Sequence, residues 1–93
     1  NPIPNYKAFV MNGTDMLPTI NEGDFVVADL IQTFVISGDL YVVNYKKSIV
    51  VCRLLLDGEK VTLIFDGADH TFDEWAKNIT IIGRIIEVKK IAE

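Results

Sequence analysis

Three side chains in this 93-residue sequence are candidates for chemistry, and they lie far apart along the chain. Asp15 belongs to the glycine-punctuated stretch of residues 12–24, Cys52 is the single cysteine, and His70 is the single histidine. A carboxylate attacks an amide poorly, and a cysteine nucleophile needs a base beside it. These residue types at these spacings therefore predict no complete catalytic set.

Asp15 and Cys52 each have a structural interpretation as well. Asp15 precedes a predicted helical turn at residues 16–20 and would serve as its N-cap. Cys52 lies on a predicted apolar strand, where a buried cysteine behaves as a small hydrophobe. By strand alternation it shares a face with Val50, Leu54 and Leu56.

His70 lies in the acidic stretch of residues 66–74. The spacing of the carboxylates there matches no calcium-binding loop, and the stretch offers too few soft ligands for zinc. We therefore expect a solvated histidine, no metal site and no cofactor.

The pattern of short apolar runs separated by turn residues predicts a mostly-β domain. The sequences Asp-Gly at 57–58 and Gly-Asp at 38–39 are typical of turns between strands. We expect small twisted β-sheets that form a partly open barrel or sandwich. The predicted strands cover residues 6–11, 25–28, 40–45, 49–56, 61–65 and 79–89, with a second helical turn at 73–77 and a bulge or bend at Gly83.

The length and composition predict one soluble domain from a reducing cytoplasm. Ninety-three residues suffice for a single modest core, and one cysteine excludes an internal disulfide. The net charge of −4 argues against a nucleic-acid-binding surface. No apolar run has the length of a membrane span, and no signal peptide opens the chain. Residues 1–5 are interpreted as the end of a linker, and residues 6–93 as the domain.

Four motifs occur in an order that resembles the LexA-like self-cleaving repressors, including the CI repressors of temperate phages. Residues 13–18 read Gly-Thr-Asp-Met-Leu-Pro, where that family has Gly-Asp-Ser-Met-x-Pro. Gly-Asp at 23–24, Ser-Gly-Asp-Leu-Tyr-Val-Val at 37–43 and Ile-Ile-Gly-Arg-Ile-Ile at 81–86 follow. The resemblance covers roughly residues 10–88, and a P2-like coliphage repressor is the specific setting that it suggests.

The resemblance implies a catalytic Ser-Lys dyad that this chain has lost. Asp15 stands at the serine position. Cys52 stands at the lysine position, at the start of the triplet Cys-Arg-Leu. The adjacent Arg53 does not give up its proton in proteins and cannot replace the base. The family's Asp-Asn-Pro element corresponds to Asp-Gly-Ala at 66–68, which predicts an altered cleft. We therefore expect no enzyme activity.

The terminal strand carries apolar residues on both faces, so it is either central in a sheet or covered by another chain. In LexA-like proteins the C-terminal part of the domain contributes to the dimer. The predicted interface candidates are Ile82, Ile85, Ile86 and Val88, together with the aromatic residues Trp75 and Phe72.

The function predicted on this basis is self-association within a phage transcriptional repressor that maintains lysogeny in the cytoplasm of a bacterial host. The chain would form a homodimer and a higher-order assembly of dimers. A missing N-terminal helix-turn-helix domain would bind operator DNA. Without self-cleavage, an antirepressor protein would be needed for induction.

Two alternatives stay open on the sequence. The first is a Ser-Lys-type autoprotease, which would require the full-length chain to cut itself at alkaline pH. The second is a domain that binds a peptide or an antirepressor in the former protease cleft. Under the second, changes at Asp15 or Cys52 would weaken peptide binding and leave the oligomeric state unchanged.

Overall fold

A computed structural model describes residues 5–69 and 71–91 and shows a seven-stranded antiparallel sheet. Residues 1–4 of the predicted linker and His70 lie outside the described residues. The mostly-β fold is confirmed, although the strands form one continuous open sheet. The strands are β1 Tyr6–Val10, β2 Phe25–Asp29, β3 Leu40–Tyr45, β4 Ser48–Asp57, β5 Lys60–Ile64, β6 Thr71–Trp75 and β7 Ile79–Lys89, with a 3-10 helix at Ala76–Asn78.

The sheet order is β1-β2-β7-β3-β4-β5-β6, so β1 and β6 are its edges. Two tight hairpins join the middle strands. Asp57 pairs with Lys60 across a turn in which Gly58 has a φ of 63°. Tyr45 pairs with Ser48 across Lys46-Lys47, and both of these lysines adopt positive φ as a two-residue hairpin turn of this kind requires. None of the helical segments among the described residues has the length and apolar character that crossing a membrane requires.

Two apolar clusters bury both faces of the middle strands. Val42 and Val51 are cross-strand partners in one cluster, whereas Tyr41 and Cys52 are partners in the other. Successive side chains on a strand point to opposite faces, so β3 and β4 are apolar on both sides. The first cluster comprises Met11, Met16, Ile20, Val26, Ala28, Val42, Val51 and Ile85. The second cluster comprises Tyr41, Val43, Cys52, Leu54, Val61 and Leu63.

Strand β7 lies between β2 and β3, which explains its two apolar faces without a second chain. The strand contains two bulges. Opposite β3, Gly83 pairs with Val42 and Ile81 pairs with Val43, so Ile82 is an extra residue without a partner in the ladder. Opposite β2, Ile86 is the extra residue between the partners of Val27 and Ala28. The predicted irregularity at residue 83 is therefore adjacent to a real bulge.

The helical turn predicted at residues 73–77 is wrong. Strand β6 continues through Trp75, which pairs with Lys60 of β5, and the 3-10 helix begins only at Ala76. The Glu74 carboxylate accepts hydrogen bonds from Trp75 N at 3.0 Å and Asn78 Nδ2 at 2.9 Å. The pairing of β6 with β5 thus keeps residues 73–75 extended, although the local sequence favoured a helical turn. By contrast, the turn predicted at residues 16–20 is present, with Ile20 N donating to Met16 O at 2.9 Å.

Gly83 allows a close approach between β7 and the backbone at the end of β2. A Cβ atom at this position would lie 2.5 Å from Asp29 O and 2.9 Å from Asp29 C, and backbone atoms cannot move aside as a flexible side chain can. We predict that Gly83→Ala lowers the free energy of unfolding by about 2–3 kcal/mol, because the added methyl overpacks the site. Urea unfolding measures the change. Thr80→Ala, at an exposed position of the same strand, is the control, and an equal loss in both variants would contradict this role for Gly83.

Candidate functional site

The loop between β1 and β2, which contains Asp15, is closed at its base by backbone hydrogen bonds. Met11 N donates to Asp24 O, and Gly23 N donates to Met11 O, both at 2.8 Å. Met16 and Ile20 are fully buried in the first cluster, so the loop is packed as part of the core. The loop therefore holds the Asp15 position in a fixed place on the domain.

Asp24 fastens this loop to the chain that follows β7. Its buried carboxylate accepts hydrogen bonds from Asn21 N at 2.8 Å and Ile91 N at 3.1 Å, and it pairs with Lys90 Nζ at 3.1 Å. The hydrogen bond from Asn21 is the main cause that lowers the pKa of Asp24, and Lys90 adds to it. The Gly-Asp motif at 23–24 thus has a structural role.

Asp15 lies at the exposed tip of the loop and lines a cleft of about 370 Å³. The other lining residues are Phe9, Val10, Met11, Asn12, Ile49, Val50, Val51 and Phe65. Within the described part of the chain, the Asp15 carboxylate accepts no hydrogen bond, so the predicted N-cap is not formed. Leu17 N instead donates to Thr14 O at 3.2 Å.

Cys52 is fully buried in the second cluster and does not line the cleft. Burial raises the pKa of its thiol to about 12, so the thiol stays protonated at neutral pH. The structure therefore keeps Asp15 and Cys52 apart, with Asp15 at the surface and Cys52 in the core. The interpretation of Cys52 as a small buried hydrophobe agrees with this placement.

Arg53 of β4 and Asp66 form an ion pair near the cleft. Arg53 Nη2 lies 2.7 Å from Asp66 Oδ2 and Arg53 Nε lies 3.2 Å from Oδ1, which is a bidentate pair. Asp66 also accepts a hydrogen bond from the Thr19 hydroxyl, and Arg53 Nη1 donates to Gly38 O at 2.6 Å. One carboxylate thus connects three separate parts of the chain.

The charges of this pair stabilise each other. The hydrogen bond from Arg53 is the main cause that lowers the pKa of Asp66, and Asp66 in turn raises the pKa of Arg53. Sequence reasoning missed the pair, although an arginine within the apolar run of β4 was a signal. A charge among buried neighbours requires a partner.

Gly67 brings the segment after β5 against the loop that carries Asp15. Gly67 N donates to Asp15 O at 2.7 Å. A Cβ atom at residue 67 would lie 2.8 Å from Thr14 O and 2.9 Å from Leu17 O, so only glycine fits without displacing backbone. The Asp-Gly-Ala element is therefore a close-fitting wall beside the cleft, although its residues differ from the Asp-Asn-Pro that the resemblance suggested.

Comparison with known proteins agrees with the resemblance seen in the motifs. Residues 2–86 match the family model described as Peptidase S24-like. The chain belongs to this family. A protein described as an uncharacterized HTH-type transcriptional regulator of Haemophilus influenzae is 30% identical over 89 residues. The match covers 90% of this chain and 37% of that protein, so the S24-like chain spans just over a third of its relative. Both matches fit a domain of the LexA-like repressor type.

The six predicted interface residues do not form one surface. Ile85 is only 8% exposed and belongs to the first cluster, and Ile82 and Val88 pack against that cluster. Ile86 is exposed on β7, while Phe72 and Trp75 are exposed on β6. Strands β3, β4 and β5 lie between β6 and β7 in the sheet. The placement of Ile85 in the core follows from the central position of β7.

No metal site is formed by the described residues. Among residues 5–69 and 71–91, no group of three or more histidine, cysteine, aspartate or glutamate side chains could hold an ion. His70, with its acidic neighbours, was the sequence candidate and lies outside these residues.

Asp66→Asn should lower the free energy of unfolding by about 2 kcal/mol at neutral pH, because it removes the charged partner of Arg53. The folded pKa of Asp66 is lowered, so its contribution is fully present above its unfolded pKa of about 4 and is lost as the pH falls through the folded value. The difference between wild type and variant should therefore shrink below about pH 4.

Urea unfolding at several pH values measures this difference. Asp69→Asn is the matched control, because it removes an exposed carboxylate from the same segment. A difference for Asp66→Asn that stays constant down to strongly acidic pH would show that the ion pair is not its source.

Proposed function

We propose that this domain joins copies of a transcriptional repressor and does not cleave its own chain. The observation that supports the proposal is that Asp15 occupies the serine position implied by the family resemblance, beside a cleft that no lysine of the described residues lines. Asp15 is an exposed carboxylate, and Cys52 is a buried, protonated thiol in the second cluster that does not line the cleft. Neither residue offers a nucleophile with a base beside it.

The remaining groups near the cleft do not replace the dyad. Arg53 is held by Asp66 and keeps its proton. Thr14 lies beside Asp15 in the same turn, but no lysine lines the cleft among the described residues. A hydroxyl without a base is a weak nucleophile. This supports a role for the domain other than hydrolysis.

The match to an HTH-type transcriptional regulator supports the repressor setting. In the proposed protein, a separate helix-turn-helix domain binds the operator and this domain joins the subunits. Joining two weak DNA-binding heads makes the second contact intramolecular and raises the apparent affinity. The net charge of −4 suits this division, because an acidic domain is repelled by DNA phosphates.

We place the repressor in a temperate phage, where it maintains lysogeny. Without self-cleavage, induction there requires an inactivating partner such as an antirepressor protein. A second candidate function follows from the open cleft beside Asp15, which has room for a short peptide of such a partner. Asp15→Arg would then abolish binding of that partner and leave the mass of the assembly unchanged.

Sedimentation equilibrium over a wide concentration range tests the self-association directly. We expect a weight-average mass that rises from 10.4 kDa toward twice that value or a larger closed assembly as concentration increases. A mass that stays at 10.4 kDa at the highest concentration would refute the proposed function.

A further inference from the structure

The Asn-Gly pair at residues 12–13 has a chemistry that neither peptide hydrolysis nor subunit contact requires. The chain contains six asparagines, and Asn12 alone is followed by glycine. An asparagine side chain can react with the backbone nitrogen of the next residue. Glycine has no Cβ, so it lets other groups approach its backbone closely. The pair therefore combines an electrophilic amide carbon with an unshielded backbone nitrogen.

The two groups that would react are free of hydrogen bonds. Within the part of the chain that the structure describes, the Asn12 side-chain amide makes no hydrogen bond and Gly13 N donates none. Asn12 is exposed, and a Cβ atom at residue 13 would have no heavy atom within 4 Å beyond its chain neighbours. By contrast, the side-chain amide of Asn78 is bonded to Glu74 at 2.9 Å.

The backbone on both sides of the pair is held in place. Met11 N donates to Asp24 O and Met11 O accepts from Gly23 N, both at 2.8 Å, while Asp15 O accepts from Gly67 N at 2.7 Å. Residues 12–13 are thus a short unbonded step between two anchored points. The reaction can proceed in the folded domain, because neither reacting group must first leave a partner.

We propose that Asn12 is a self-modification site, at which the side-chain amide becomes a carboxylate without an enzyme. Gly13 N loses its proton and attacks Asn12 Cγ. The new C–N bond closes a succinimide ring, while the Cγ–Nδ2 bond breaks and ammonia leaves. Water then opens the ring. Cleavage of the ring bond at Cγ gives aspartate, and cleavage of the bond between the backbone carbon of residue 12 and Gly13 N gives isoaspartate. The sum is one water consumed and one ammonia released.

Both products add a carboxylate to the wall of the cleft that Asp15 lines. Asn12 is itself a lining residue, and no lysine or arginine of the described residues lines the cleft. The formal charge of −4 becomes more negative by one, and the cleft then holds two carboxylates without a balancing cation. Such a cleft repels anionic groups and attracts cationic ones. The charge of this surface therefore changes with the age of the protein, whether or not the domain joins subunits.

Peptide mass spectrometry of the folded protein, sampled during incubation at mildly alkaline pH, tests the site. Each converted asparagine raises the mass of its peptide by one unit. Asn21 is the internal control, because it is exposed in the same loop but precedes Glu22. Cleavage before Asp15 places the two asparagines in separate peptides. We expect Asn12 to convert about tenfold faster than Asn21, because no side chain at residue 13 hinders the attack.

Two substitutions at this exposed position supply the matched controls, and circular dichroism checks their folding. Asn12→Gln keeps an amide whose longer side chain cannot close the same ring, so it should release no ammonia above the contribution of the other asparagines. Asn12→Asp should elute from an anion exchanger together with the converted wild-type protein, because both carry the added charge.

Conversion of Asn12 that is no faster than that of Asn21 would overturn the proposal. Equal release of ammonia from wild type and Asn12→Gln would do the same. A strictly monomeric chain that still converts Asn12 would refute the proposed function and support this inference, so the two failures are distinguishable.

Discussion

The bidentate pair between Asp66 and Arg53 is the interaction on which the rest of the site depends. Arg53 lies in the middle of β4, and its guanidinium also donates a hydrogen bond to Gly38 O at the end of the loop between β2 and β3. Asp66 also accepts a hydrogen bond from the Thr19 hydroxyl. The next residue, Gly67, donates a hydrogen bond from its backbone N–H to Asp15 O. One ion pair thus links the loop between β1 and β2 to the end of the loop between β2 and β3.

The placements of Asp15 and Cys52 are compatible with a stable core. An exposed Asp15 keeps its carboxylate solvated, whereas a buried charge would be costly. Cys52 fills a position between apolar neighbours as a small hydrophobe with a protonated thiol. A lysine there would have to bury an ammonium or lose its proton, which is favourable only where catalysis requires it.

The sequence predicted the elements whose signals are local, and it missed contacts that depend on the path of the chain. The bounds of β7 and the hairpin at Gly58 followed from apolar runs and turn residues. The pair of Arg53 with Asp66 was missed, because its geometry depends on how β4, β5 and the following turn are arranged. Ile85 was assigned to a surface, because a strand with two apolar faces does not reveal whether a neighbouring strand or a second chain covers it.

The central claim is that an S24-like scaffold is kept here without its chemistry. The most direct test is the intact mass of the full-length protein during prolonged incubation at alkaline pH, with a self-cleaving LexA-like repressor treated in parallel. The account predicts a single unchanged mass while the parallel sample is cut. Two fragments whose masses sum to the whole chain plus one water would contradict it, because they would show that a nucleophile and a base still operate in this cleft.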